Sequence, residues 1–80
     1  MNDKEIAEVV RRVLADIAPE ADLDRLDPGV DLQEQVDLDS MDFLNLVTAV
    51  SEATGVDIPE RDYPLVATLS GCVTYVASRR

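Results

Sequence analysis

The sequence is poor in the side chains on which most enzymes and most disulfide-stapled proteins depend. Its 80 residues include no histidine, no tryptophan and a single cysteine, Cys72. A lone cysteine cannot form an intramolecular disulfide, which excludes a stapled secreted scaffold. No apolar run approaches the length needed to span a bilayer, and residues 1–5 lack the basic-then-apolar layout of a signal peptide. We therefore expect a cytoplasmic protein with no membrane partner.

Positive charge is scarce as well. Seven basic residues stand against 17 acidic ones, which gives a net charge of −10. Such a surface repels nucleic acid and steers basic partners toward the protein. The simpler alternative is that the acidic residues only keep a small protein soluble. One Phe and two Tyr imply an aliphatic core. Eighty residues suffice for one domain, 1–80, and leave no room for a cleft of enzyme size. We expect the protein to be a monomer and to have no metal site.

The first stretch with helical periodicity lies near the N-terminus. Its apolar residues recur at i, i+3, i+4, i+7, i+8 and i+11, as on one face of a helix: Ile6, Val9, Val10, Val13, Leu14 and Ile17. Asn2 and Glu5 are spaced as a capping box. Pro19 predicts the end of this helix, because the residue before a proline is pushed out of the α region.

A connection of unusual length follows, from about Pro19 to Asp39. Apolar residues recur along it, so we expect it to lie pinned across the bundle: Leu23, Leu26, Val30, Leu32, Val36 and Leu38. A short helical turn is expected near Leu23–Leu26. The motif Asp27-Pro28-Gly29 is typical of a turn.

The second helix is predicted from about Ser40 to Thr54, with Gly55 as its left-handed cap. Its inward stripe consists of Phe43, Leu46, Val47, Val50 and Thr54. An extended link, residues 56–58, precedes a short helical turn that begins at Pro59 and is limited by Pro64.

The last helix is predicted to begin near Thr68, with Leu69, Cys72, Val73 and Val76 on its apolar side. Gly71 should weaken it by roughly 1 kcal/mol relative to alanine. The expected fold class is all-α. It is a small four-helix bundle of three main helices and one short one, with a long loop between helices 1 and 2.

Ser40 is the most informative residue. A serine at the start of a helix is usually a cap, but Asp39 could cap equally well and leave Ser40 in the first turn, facing outward. The free N–H groups and dipole of a helix N-terminus favour an anion at that position. With no histidine to activate it, Ser40 is not expected to be a hydrolytic nucleophile. It is interpreted as an attachment point for a prosthetic arm.

The residues around Ser40 extend this pattern along the chain. Asp39-Ser40-Met41-Asp42 leads into an amphipathic helix, then Gly55-Val56-Asp57-Ile58-Pro59, then Thr68-Leu69 with Val73, Tyr75 and Val76. In this order and spacing the chain resembles the acyl carrier protein family over nearly its whole length.

The resemblance implies a four-helix bundle that carries chemistry instead of catalysing it. Ser40 stands at the family serine that a phosphopantetheinyl transferase modifies with 4′-phosphopantetheine from coenzyme A. Asp39 and Met41, which flank that serine, are assigned with it to the cofactor-binding site. The thiol of the arm would hold acyl groups as thioesters for acyl-transferring, condensing or acyl-activating enzymes.

A docking surface for such enzymes is expected beside the arm. Met41, Asn45, Thr48 and Glu52 share a face of the second helix distinct from its inward stripe, bordered by Asp42 and Leu44, and Ile58 is assigned to the same surface. Acid around an exposed apolar patch suits basic partners. An ordinary solvated helix face is the simpler alternative.

The family pattern is not matched everywhere. Bacterial fatty-acid carriers usually have Leu after the serine and more acid along the second helix, whereas this chain has Met41, Asn45, Thr48 and Ser51 at those positions. These departures favour a specialised carrier, with a fatty-acid role or an aminoacyl cargo as alternatives. A cofactor-free acidic interaction module is the rival hypothesis. A calcium loop from Asp37 is disfavoured, because Asp42 and Thr48 occupy the positions that need Gly and Glu.

Overall fold

The computed structural model describes residues 1–79, and within them the chain forms helices and no strand. The helices are α1 (Asp3–Ile17), a first 3₁₀ helix (Leu23–Arg25), α2 (Leu32–Gln35), α3 (Ser40–Thr54), a second 3₁₀ helix (Glu60–Val66) and α4 (Leu69–Arg79). The predicted all-α bundle is confirmed. Its three long helices are α1, α3 and α4, and the second 3₁₀ helix is the short fourth one.

Helix α1 begins and packs as its sequence predicts. The Asn2 side chain accepts from the Glu5 N–H at 2.9 Å, and the Glu5 carboxylate accepts from the Asn2 N–H at 3.1 Å. This reciprocal pair satisfies two helix N–H donors. On the inward face Ile6, Val10 and Leu14 have no exposed surface, and α1 packs against both α3 and α4.

The connection between α1 and α3 is fixed to the bundle, as predicted. Leu32, Val36 and Leu38 are buried in the core. The Leu32 N–H donates to the Ala67 carbonyl at 2.8 Å, and the Ser70 N–H donates to the Pro28 carbonyl at 2.9 Å. Val30 does not fit the prediction, because it lies 38% exposed in a turn that faces outward.

The second 3₁₀ helix is longer than the sequence predicted. Pro64 was expected to limit it, yet the helix continues through Pro64 to Val66. A proline ring fixes φ near the value that a 3₁₀ helix requires, so it need not end this kind of segment. The segment is tied to α4 because the Tyr75 hydroxyl donates to an Asp62 carboxylate oxygen at 2.6 Å. Arg79 lies over the Tyr75 ring, 3.6 Å from its centroid.

Candidate functional site

The backbone just before α3 is set by a C-terminal motif on α2. Asp37 adopts a left-handed conformation, with φ of 56°, and the Leu38 N–H donates to the Gln33 carbonyl at 3.0 Å. This is the Schellman arrangement, in which aspartate is one of the few non-glycine residues that tolerate positive φ. Leu38 is then buried. The motif and this anchor together fix where α3 begins.

Asp39, not Ser40, caps α3. One Asp39 carboxylate oxygen accepts from the Asp42 N–H at 2.8 Å, and the Asp39 backbone is extended, as an N-cap requires. Ser40 is therefore the first residue inside the helix and is exposed. The sequence left open which of the two residues caps the helix, and the structure assigns that role to Asp39.

The serines of the chain differ in what their hydroxyls do. Ser51 donates to the Val56 carbonyl at 2.7 Å, and Ser78 donates to the Tyr75 carbonyl at 2.8 Å. Ser40 and Ser70 are both exposed in the first turn of a helix, and neither hydroxyl has a hydrogen-bond partner within residues 1–79. A free hydroxyl alone therefore does not single out Ser40.

A further feature distinguishes Ser40. The N–H groups of Ser40 and Met41 make no bond to the described part of the chain. These donors lie at the positive end of a 15-residue helix and suit a phosphate group on the serine oxygen. At Ser70 the backbone N–H is already taken by Pro28.

An open groove adjoins the Ser40 hydroxyl. It has a volume of about 380 Å³, and Met41, Phe43 and Leu44 form its apolar side. Gln33, Glu60 and Tyr63 supply polar groups to the same groove. A flexible arm attached at Ser40 would therefore have a concave, mixed surface directly beside it.

The structure places most of the predicted docking residues on one exposed surface of α3. Met41 and Leu44 are 63% and 43% exposed, and as i and i+3 neighbours on α3 they form a small apolar patch. Asn45, Thr48 and Glu52 are exposed on the same helix, and Asp42 is half-buried.

Ile58 requires a correction. It was assigned to the docking surface, but only 7% of it is exposed and it packs in the hydrophobic core. The link after α3 alternates, with Val56 and Ile58 directed inward and Asp57 outward. An extended segment places alternate side chains on opposite sides, which a motif-based assignment overlooked.

The groove residues were the part of the site that the sequence reasoning missed. Gln33, Glu60 and Tyr63 reach Ser40 from segments that precede and follow α3. No periodicity links them, since they belong to α2 and to the second 3₁₀ helix.

Other chemistry is sparse in the described residues. No group of three or more His, Cys, Asp or Glu side chains among residues 1–79 is arranged to hold a metal ion. In the same range, every helix is too short or too polar to cross a membrane. Cys72 is buried, and burial raises the pKa of its thiol to about 11.

The exposed Ser40 hydroxyl, the unpaired N–H groups beside it and the small helical bundle are together what a carrier domain requires. The family model described as "Phosphopantetheine attachment site" matches residues 5–76 of the chain. The chain belongs to this family, which includes the acyl carrier proteins. Acyl carrier proteins are carriers and not enzymes, and membership of the family implies a covalently attached 4′-phosphopantetheine.

Curated relatives agree with this assignment. The chain is 28% identical over 79 residues to "Acyl carrier protein" of Thermosynechococcus vestitus, covering 99% of this chain and 96% of the relative. It is 26% identical over 80 residues to "Acyl carrier protein" of Rubrobacter xylanophilus, covering 100% and 98%. A third such protein, from Lactobacillus johnsonii, is 30% identical over 59 residues, 74% of each chain. The similarity is low but spans the whole bundle.

Proposed function

We propose that Ser40 carries the 4′-phosphopantetheine and that the arm presents acyl groups, as thioesters, to enzymes of a specialised acyl or polyketide pathway. A housekeeping fatty-acid role is the alternative. The observation that carries the proposal is the exposed Ser40 hydroxyl together with the unpaired N–H groups of Ser40 and Met41 beside it. Asp39 caps the helix, so the exposed Ser40 hydroxyl is free to react. The names of the curated relatives support the acyl cargo.

In the attachment reaction this chain supplies the Ser40 hydroxyl, and the transferase supplies the catalytic groups. The Ser40 oxygen would form a new P–O bond to the pantetheine-bearing phosphate of coenzyme A. The bond from that phosphate to adenosine 3′,5′-bisphosphate would break, and this product would leave. The hydroxyl proton would pass to a base of the transferase, because the chain has no histidine and Asp39 is engaged as a cap. The resulting phosphodiester would lie near the N–H groups of Ser40 and Met41.

The exposed surface of α3 is the proposed docking surface for the transferase and for acyl-handling enzymes. It presents Met41 and Leu44 beside Ser40, with Asp39 and Asp42 adjacent, and continues along α3 through Asn45, Thr48 and Glu52. An apolar centre with acid at its edge suits basic partners that must bind quickly and leave quickly. The neutral Asn45 and Thr48 support the specialised pathway, because partners of this surface would meet little acid beyond its first turn.

The attachment site is tested by intact mass after incubation with coenzyme A, Mg²⁺ and a phosphopantetheinyl transferase. We expect the parent to gain one phosphopantetheine and Ser40→Ala to gain none. Ser70→Ala is the matched control, since Ser70 is also exposed, free and in a first helical turn. It should be modified like the parent. The arm would be attached elsewhere if the Ser40→Ala variant were modified, or if the Ser70→Ala variant were not.

Acidic steering near Ser40 gives a second testable expectation. Asp42→Asn should be modified about two- to fivefold more slowly than the parent at low ionic strength, because one charge of a steering surface is lost. The difference should shrink at high salt as the remaining charges are screened. The measurement is the initial rate of mass gain across a salt series.

Asp57→Asn is the control for that series. Asp57 is exposed just beyond the opposite end of α3, so this variant has the same net charge as Asp42→Asn. It should be modified at the parental rate at every salt concentration. Equal slowing in the two variants would mean that net charge matters and the surface beside Ser40 does not.

A further inference from the structure

The groove beside Ser40 and a second depression have three lining residues in common. Gln33, Phe43 and Tyr63 line both. The second depression has a volume of about 450 Å³ and is completed by Asp31, Pro64 and Ala67. These three residues, here termed the wall, therefore lie at the boundary between the two depressions.

The two aromatic rings are the rigid part of the wall. Phe43 and Tyr63 pack edge to face, with ring centroids 5.8 Å apart and an angle of 80° between the rings. Phe43 lies on the inward stripe of α3 and is only 7% exposed, while Tyr63 is half-buried on the second 3₁₀ helix. Edge-to-face aromatic pairs are attractive, so the contact holds the two elements together.

The Tyr63 side of the wall is anchored from behind. Asp62, the preceding residue, accepts the hydrogen bond of the Tyr75 hydroxyl on α4 at 2.6 Å. Arg79 stacks on Tyr75 and lies 4.0 Å from the same carboxylate. Tyr63 therefore belongs to a segment fastened to α4, and the wall cannot be displaced as a free loop could.

We propose that Phe43 and Tyr63 determine which cargo the protein accepts, by confining the acyl group to the groove beside Ser40. The inference rests on the proposed attachment at Ser40. The substrate class that follows is short acyl groups, because a long alkyl chain cannot pass the ring pair and would extend into water. Opening the wall would join the two depressions and give a long chain an apolar place to lie.

The test compares thioesters of increasing length. The transferase is supplied with butanoyl-, octanoyl- or dodecanoyl-coenzyme A, and intact mass verifies the loading of the parent, Phe43→Ala, Tyr63→Ala and Leu65→Ala. The rate of thioester cleavage by hydroxylamine then reports how far each acyl group is shielded. Leu65 is the control, because it is a large exposed apolar residue of the same 3₁₀ helix but not part of the wall.

In the parent and in Leu65→Ala we expect the three thioesters to be cleaved at closely similar rates. In the two ring variants the octanoyl thioester should be cleaved roughly three- to tenfold more slowly than the butanoyl one, since pockets commonly bury about 70–90% of a ligand. Should Phe43→Ala fail to fold, Tyr63→Ala carries the test, because Tyr63 is only half-buried.

The proposal is overturned if the parent already shields the octanoyl thioester, or if a folded ring variant shields it no better than the parent does. Both outcomes presuppose a loaded protein. A parent that cannot be loaded at all contradicts the attachment at Ser40 instead, so the two failures are distinguishable.

Discussion

Replacing Gly71 by alanine should lower the free energy of unfolding by about 1–3 kcal/mol, the usual cost of overpacking. In an ordinary helix interior the same change raises stability by about 1 kcal/mol, and the sequence alone predicts that sign. The structure reverses it. A Cβ at position 71 would overlap the backbone carbonyl oxygen of Leu65 and lie 3.0 Å from the Thr68 hydroxyl oxygen.

Neither neighbour of Gly71 can move freely. The Leu65 carbonyl is backbone of the second 3₁₀ helix, and the Thr68 hydroxyl caps α4 by accepting from the Gly71 N–H at 2.9 Å. The added methyl group would therefore push α4 and the 3₁₀ helix apart. Because each kcal/mol shifts the midpoint of a domain of this size by roughly 4–8 °C, the loss should be plain in a thermal melt followed by circular dichroism.

Gly29→Ala is the matched control for this experiment. A Cβ at position 29 would have an Asp27 carboxylate oxygen at 3.6 Å, an ordinary contact, and the Gly29 φ is not positive. Its melting midpoint should stay the same or rise slightly, because alanine restricts the unfolded chain. If Gly71→Ala proves as stable as Gly29→Ala, the close approach of the two helices is not a constraint.

The parts of the fold that local rules specify were predictable from sequence. The capping box of α1 and the left-handed Gly55 after α3, with φ of 74°, are each encoded within a few residues. The short α2 was missed because four residues are too few for a periodicity to be recognised. The hydrogen bond from the Tyr75 hydroxyl to Asp62 could not be predicted, because it joins residues thirteen positions apart whose proximity depends on packing.

The candidate site likewise has one part that the sequence predicts and one part that it does not. Ser40 could be singled out because the signal lies in adjacent residues. Asp39 can cap the helix, and the serine directly follows it. The groove could not be predicted, because Gln33 and Tyr63 reach it from segments whose positions depend on packing. Gly71 illustrates the limit most clearly. Its sequence context shows only a poor helix former, and the reason for it lies in the backbone of another element.

Cys72 should be unreactive in the folded protein, so a thiol titration can count the thiol of the phosphopantetheine arm. Its side chain is 5% exposed, and burial raises the pKa of the thiol from 9.0 to about 11. At pH 8 roughly a thousandth of such thiols are ionised, and the thiolate is the reactive form. Because the pKa of the Cys72 thiol is higher in the folded protein than in the unfolded chain, the thiol contributes its full stabilisation below about pH 9. That contribution is lost as the pH rises from 9.0 toward about 11.

Thiol titration at pH 8 with a disulfide reagent should therefore give different counts before and after modification. The unmodified protein should show no rapidly reacting thiol in native buffer and one in denaturant, since the sequence contains a single cysteine. After the transferase reaction, native buffer should show one thiol, that of the arm, and denaturant two. Ser40→Ala treated in the same way should still show none under native conditions. Rapid reaction of the unmodified native protein would mean that Cys72 is accessible, and that the packing of α4 against the core is looser than the structure indicates.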